Sequence, residues 1–226
     1  MTGGDGAISS TVPHYPSVGI SGWICSGKTT AAAWFCARGF TVLSLAAPIK
    51  VLGEAARCQQ WDYAEHWLRL LCSDEGDFSR AARAYSRLAG EYEEELASGV
   101  KPREFLQELG GVFREEVHPE VWVDFLLSQV AACEGPVVVD DLRCPTEAER
   151  MRAAGWRLLR LQVGNVEWLR RIGHCYPNMD MKRLQHYSEH ALDDWEFDCV
   201  VDSSEWVGMA RQLQRFLAAD LVSNQY

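Results

Sequence analysis

Within the run GISGWICSGKTT (residues 19–30), Gly22, Gly27, Lys28 and Thr29 stand at the spacing G-x-x-x-x-G-K-[ST]. That spacing suits a loop whose backbone N–H groups converge on phosphate oxygens. Glycine lets the chain turn inward without a Cβ in the way. Lys28 supplies a positive charge for the outer phosphates, and the Thr29 hydroxyl is a ligand for Mg²⁺. The candidate nucleotide contacts are therefore Gly22, Trp23, Ile24, Cys25, Ser26, Gly27, Lys28, Thr29 and Thr30. A helix starting at this point would add the positive end of its dipole.

A cradle of this kind needs a carboxylate beside it for the metal. GPVVVDDLR (135–143) is an apolar run that ends in Asp140 and Asp141. Side chains alternate faces along a strand, so one of the two carboxylates faces the metal and the other faces away or caps the next turn. We assign Asp140, with Thr29, to the metal. A guanosine-binding N-K-x-D run is absent, which argues against a GTPase. A kinase needs in addition an anion clamp for the acceptor and mobile cations for the transferring phosphoryl group. Arg103, Arg114 and Arg143 stand where such a clamp would be built. Arg170, Arg171, Lys182 and Arg183 lie in a polar segment, 164–190, that reads as a lid.

These residues have to be positioned by alternating elements. SVGIS (17–21), FTVLSLA (40–46), the run at 135–143, WRLLRLQV (156–163) and FDCVVDS read as strands. Helical patterns separate them, one stopped by Gly39 and another starting at Pro48. The order predicts an α/β fold, a parallel sheet of about five strands flanked by helices, with ligands at the carboxyl ends of the strands. Residues 59–100 have helical spacing and read as an insertion. REFLQELGGVFREEV and PEVWVDFLLSQVAA add two helices, split at His118–Pro119. The first sixteen residues read as a disordered leader, leaving 17–226 as one domain.

The chain has 226 residues, 47% of them apolar, and a formal net charge of −10. That charge argues against a broad, non-specific grip on a nucleic-acid backbone but leaves room for a local basic cleft. Eight cysteines show neither C-x-x-C nor zinc-finger spacing and read as reduced thiols of a cytoplasmic protein. Cys25, inside the phosphate loop, reads as a small neutral filler, an oxidation-sensitive point being the alternative. No apolar run approaches the ~18 residues of a membrane span, so no membrane partner is expected.

Four blocks, in order, resemble the deoxynucleoside monophosphate kinase family of tailed bacteriophages. They are GISGWICSGKTTAAAWFCARGFTVLSLAAPIK, REFLQELGGVFREEVHPEVWVDFLL, VVVDDLRCPTEAERMRAAGW and HYSEHALDDWEFDCVVDS, which together cover most of 18–203. The resemblance implies a P-loop kinase fold, ATP and Mg²⁺, and a deoxynucleotide acceptor in the cytoplasm of an infected bacterium. It implies acceptor contacts from Lys50, Arg103, Gln107, Arg114 and Trp122, and metal or acceptor contacts from Asp140 and Arg143. From the residues themselves, Asp141 is added as a substrate contact and Arg170 and Arg171 as catalytic lid residues. Gly164 and Asn165 stand where a basic residue is expected, and Ser203 where an asparagine is. Trp122 and Phe105 are also readable as stacking or packing residues.

Four readings follow. The first is Mg·ATP-dependent phosphorylation of a deoxynucleoside 5′-monophosphate. The second keeps the engine and changes the acceptor to a 5-hydroxymethyl-pyrimidine in DNA. There the Asp140–Asp141 pair would supply a base, and Arg80, Arg83 and Arg87 would form a DNA-facing stripe. The third is a kinase for another small molecule such as a coenzyme precursor, and the fourth a non-enzymatic nucleotide-gated module. A second copy of the chain is a partner that the sequence leaves open.

Overall fold

The computed structural model describes residues 15–177 and 187–223. Five strands form one all-parallel sheet in the order β2-β3-β1-β4-β5. They are β1 (Val18–Ser21), β2 (Thr41–Leu43), β3 (Val137–Val139), β4 (Arg157–Gln162) and β5 (Cys199–Asp202). The chain leaves β1 for the edge strand β2, returns to β3 beside β1, and only then crosses to β4. The loops after β1 and β3 thus meet at the carboxyl edge of the sheet, where open α/β sheets hold ligands.

Both faces of the sheet are covered, as its apolar strands require. One face packs on α1 (Lys28–Cys36) and α11 (Trp206–Ser223). Their Phe35, Trp34, Leu213 and Phe216 meet Val18, Ile20, Leu159 and Val201. The other face carries α2 (Ala47–Arg57), α6 (Arg103–Glu116), α7 (Val121–Val130) and α8 (Pro145–Ala153). Between α2 and α6 run α3 (Trp61–Leu71), α4 (Glu75–Glu91) and the short α5 (Glu93–Ala97). Leu88, Tyr85 and Leu68 of these helices share one apolar cluster with Leu52 of α2 and Phe105 of α6. The Tyr85 hydroxyl donates to the Leu52 carbonyl at 2.8 Å. Residues 59–100 are therefore knitted into the main core rather than appended to it.

Local chemistry sets several boundaries. Pro48 lies in the first turn of α2, where its missing N–H costs nothing. The Asp74 carboxylate caps α4 by accepting from the Asp77 N–H at 2.8 Å. β2 is shorter than the expected 40–46, because residues 44–46 are bent into a turn held by a carboxylate described below. Tyr15, expected in a disordered leader, stacks on Phe40 at 5.9 Å; residues 1–14 lie outside the described residues. The expected lid begins with α9 (Asn165–Cys175) and ends with α10 (Tyr187–His190). The intervening 178–186, with Lys182 and Arg183, lie outside the described residues. No helix among the described residues is long and apolar enough to cross a membrane.

Candidate functional site

The loop between β1 and α1 needs its glycines. Gly22 has φ +155°, and a Cβ there would lie 2.5 Å from Ser26 Oγ and 2.8 Å from the Leu161 carbonyl oxygen. Gly27, at the amino end of α1, has φ +93°. No side chain caps α1, so its first N–H groups are offered to a ligand. Ser26 Oγ is buried without a hydrogen-bond partner among the described residues. A buried hydroxyl left unpaired costs free energy, and a phosphate oxygen in the cradle would satisfy it.

Lys28 folds back onto its own loop, donating to the Gly22 carbonyl at 2.6 Å and the Trp23 carbonyl at 2.8 Å. Burial, then the nearby Arg143 guanidinium, lower its pKa to about 8 against the pull of Glu189 and Asp140. Thr29 Oγ1 donates to Asp140 Oδ2 at 2.9 Å. The hydroxyl and the carboxylate are hard oxygen donors on one side of the cradle, the pairing that Mg²⁺ prefers. The residues present thus fit a metal–nucleotide ligand.

The neighbouring carboxylate does a different job. Asp141 accepts from Ser44 Oγ at 2.7 Å, the Leu45 N–H at 2.9 Å and the Ala46 N–H at 3.0 Å. It therefore fixes the turn between β2 and α2. This corrects the expectation that Asp141 contacts substrate, and it removes Asp141 as a spare base. The two carboxylates, adjacent just past the end of β3, thus have separate roles.

A cavity of about 490 Å³ opens over the loop, lined by residues 24–30 together with Arg143, Arg171, Tyr176, Ser203 and Trp206. Arg143 pairs with Glu189, whose other oxygen accepts the Ile24 N–H at 2.8 Å. Burial pushes the Glu189 carboxyl up, but Arg143 and that N–H outweigh it and hold it below the usual range. Arg171 is strapped down by Glu167 and by the carbonyls of Ser203 and Ser204 at 2.7 and 3.0 Å. Arg170 does not join it: it is 68% exposed, pairs with Glu167 and lines no part of this cavity. One residue along a helix rotates a side chain by about 100°, so only one of the two adjacent arginines can face the loop. The Cys25 thiol, at φ +62°, is hydrogen-bonded to Cys175 on α9, and burial and that neighbour raise its pKa.

The residues expected at the acceptor are more dispersed. Trp122 is 1% exposed, stacks on Phe113 at 5.3 Å and 9°, and donates Nε1–H to the Gly110 carbonyl at 3.0 Å. Phe105 is fully buried. Both are packing residues, which corrects the acceptor role for Trp122. Trp122→Phe is expected to cost about 1–3 kcal/mol of stability through a lost buried hydrogen bond and lost volume. Substrate constants should stay unchanged, as thermal melts and steady-state kinetics would show. Arg114 donates to the buried Glu147 at 2.8 Å. Glu147 also accepts the N–H groups of Arg143 and Cys144, so Arg114 braces the turn that carries Arg143. Lys50 lines a separate cleft of about 450 Å³ with Arg57 and Lys101. Arg103 and Gln107 are exposed on α6, and none of the three lines the phosphate cavity.

Sequence reasoning assigns no role to Glu189 or Trp168. Glu189 lies in the HYSEHALDD block, which is the available signal. Trp168 had none, being one of nine tryptophans.

No protein-family model and no curated protein matches the chain. Solved structures do. The chain is similar to TT1252 from Thermus thermophilus, with 23% identity and a TM-score of 0.50, covering 92% of this chain and 99% of that one. It also matches a gluconokinase from Sinorhizobium meliloti (15% identity, TM-score 0.42, 94% and 95% covered). A dephospho-CoA kinase from Campylobacter jejuni matches as well (11%, 0.46, 90% and 96%). The loop geometry and the strand order, with the likeness to TT1252, establish a five-stranded parallel P-loop α/β fold.

Proposed function

We propose that the protein is a Mg·ATP-dependent phosphotransferase whose acceptor is a deoxynucleoside 5′-monophosphate. The observation that carries this reading is the Thr29–Asp140 hydrogen bond beside the phosphate cradle, with Arg143 and Arg171 facing the same cavity. A bare nucleotide sensor has no need of that combination. The resemblance of the four sequence blocks is what supports the acceptor class.

Chain residues do three things in this reading. The loop N–H groups, Ser26 and Lys28 bind and orient the phosphates of ATP. Thr29 and Asp140 hold Mg²⁺, which supplies Lewis-acid charge neutralisation when bound. Arg143 and Arg171 offset the repulsion between two anionic substrates and the charge that develops on the moving phosphoryl group. The acceptor phosphate is already a competent nucleophile, so positioning suffices and no protein nucleophile is required.

DNA as acceptor has less support. Arg80 is paired with Asp77, and Arg87 with Glu91 and Glu116. Arg83 donates to the Ser79 carbonyl. A stripe with two of its three arginines paired to acids offers little to a phosphate backbone. The discriminating experiment incubates the protein and γ-labelled ATP with each deoxynucleoside monophosphate, with plain DNA and with 5-hydroxymethyluracil DNA. Label in a deoxynucleoside diphosphate is the expected result; label confined to the modified DNA would overturn the acceptor assignment.

Lys28 also predicts a pH dependence. Its cation is present below its pKa of about 8 and lost as pH rises through that value. The kcat/KM for ATP, which reports the free enzyme, should therefore fall as pH rises above about 8. Bound phosphates favour the ammonium form, so kcat at saturating ATP should decline only at higher pH. Coincident pH limbs for the two parameters would count against Lys28 as the group responsible.

A further inference from the structure

Beside the phosphate cavity lies a second one, of about 340 Å³, that the reading above leaves without a role. Its walls include two indoles, Trp23 of the phosphate loop and Trp168 of α9, with Leu169, and its polar groups are Asn165, Glu189 and His190. The indoles meet at 5.3 Å and 53°, and each is locked through its only polar atom. Trp23 Nε1–H donates to Asp193 at 3.0 Å, and Asp193 is itself paired with Arg160 of β4. Trp168 Nε1–H donates to the Ile24 carbonyl at 2.8 Å. What remains for a ligand is rigid aromatic surface whose orientation is set in advance, which lowers the ordering cost of binding.

The rest of the lining narrows the ligand class. Leu169 is 54% exposed, so the cavity has an apolar wall open to solvent. An aliphatic group would satisfy that surface but would leave the polar groups unused. The Asn165 amide offers a donor and an acceptor and has no hydrogen-bond partner among the described residues. The Glu189 carboxylate has lone pairs beyond those taken by Arg143 and the Ile24 N–H. A π face next to a short row of donors and acceptors matches a heteroaromatic ring with a hydrogen-bonding edge.

Position decides which ring. Ile24 lines both cavities, and Glu189 of this one is ion-paired with Arg143 of the other. A ring seated here would have its attached phosphate on the Arg143 side of Ile24, facing the loop. The geometry points to this cavity as the subsite for the planar heterocycle of the phosphoryl acceptor, stacked on Trp168 and Trp23 and read along its edge by Asn165 and Glu189. The word acceptor rests on the kinase reading; the affinity for a ring does not.

Equilibrium dialysis on the full chain tests it without turnover. The ligands are thymidine 5′-monophosphate, deoxyguanosine 5′-monophosphate, deoxyribose 5-phosphate and Mg·ATP. The proteins are the wild type, Trp168→Leu, which removes the stacking surface, and Leu169→Trp, an exposed position whose larger side chain fills the cavity. Both variants are expected to bind the tighter monophosphate about tenfold or more weakly, within the range for loss of one base–aromatic stack. Deoxyribose 5-phosphate, which lacks the ring, and Mg·ATP should change less than twofold. The proposal is overturned if neither monophosphate binds the wild type, or if deoxyribose 5-phosphate binds as tightly as the monophosphates. It is equally overturned if both variants keep wild-type monophosphate affinity. Failure of the wild type to bind Mg·ATP would instead sink the kinase reading, while the contrast between ring and ring-less ligands would still judge the subsite.

Discussion

Replacing Lys28 with alanine is expected to lower kcat by about 10²–10³-fold, the loss typical of removing one preorganised charge-stabilising group. By the rate–barrier relation that is about 2.7–4 kcal/mol. The same change should leave thermal stability intact or raise it. Burial and Arg143 depress the Lys28 pKa, so the fold on balance disfavours its cation despite the two carbonyl hydrogen bonds it makes. The sign follows from linkage. Below pH 8 the ammonium form carries the full penalty, which is relieved as pH rises toward the unfolded-state pKa of 10.5. A variant that melts well below the wild type would show that Lys28 is structural. One that keeps more than about a tenth of wild-type kcat would remove it from the transition state.

The two adjacent carboxylates should separate completely. Asp140→Ala removes the partner of Thr29 from a half-buried, solvent-reached position. It should abolish measurable transfer, at least 10²-fold, with little change in melting temperature. Asp141→Ala releases three donors in the turn at residues 44–46. Charge-assisted hydrogen bonds are worth about 1.5–3 kcal/mol each, and their losses overlap when one residue makes them all. The expected cost is about 2–4 kcal/mol, a fall in melting temperature of about 5–15 °C for a chain of this size. Activity at low temperature should be largely kept. Calorimetry and kinetics on the two variants check this, and an exchange of the two phenotypes would reverse the assignment of metal ligand and turn anchor.

Most of the fold was legible because its signals are local. Alternating apolar runs with helical segments dictated the parallel sheet, and the glycine spacing located the phosphate loop. The chemistry that was missed depends on distant pairs. Glu147 reads as an ordinary helix carboxylate, yet it is 2% exposed and gathers Arg114 and two backbone N–H groups. Arg160 sits inside an apolar strand, and only the fold brings Asp193 to it. Trp122 could not be sorted into stacking or packing from sequence, since its partner Gly110 becomes a neighbour only when α6 and α7 pack together. The choice between Arg170 and Arg171 depends on the exact face that α9 turns to the loop, which helical periodicity leaves open when both neighbours are basic.

The central claim is direct transfer between two nucleotides held by a rigid cradle, with no covalent protein intermediate. Its most direct test is a single turnover, with protein in excess over γ-labelled ATP and thymidine 5′-monophosphate present, quenched on the millisecond to second scale. The account predicts that label leaves ATP and enters thymidine diphosphate with one rate constant, none passing through protein. Label that first accumulates on the protein, or that leaves only as inorganic phosphate, would contradict it.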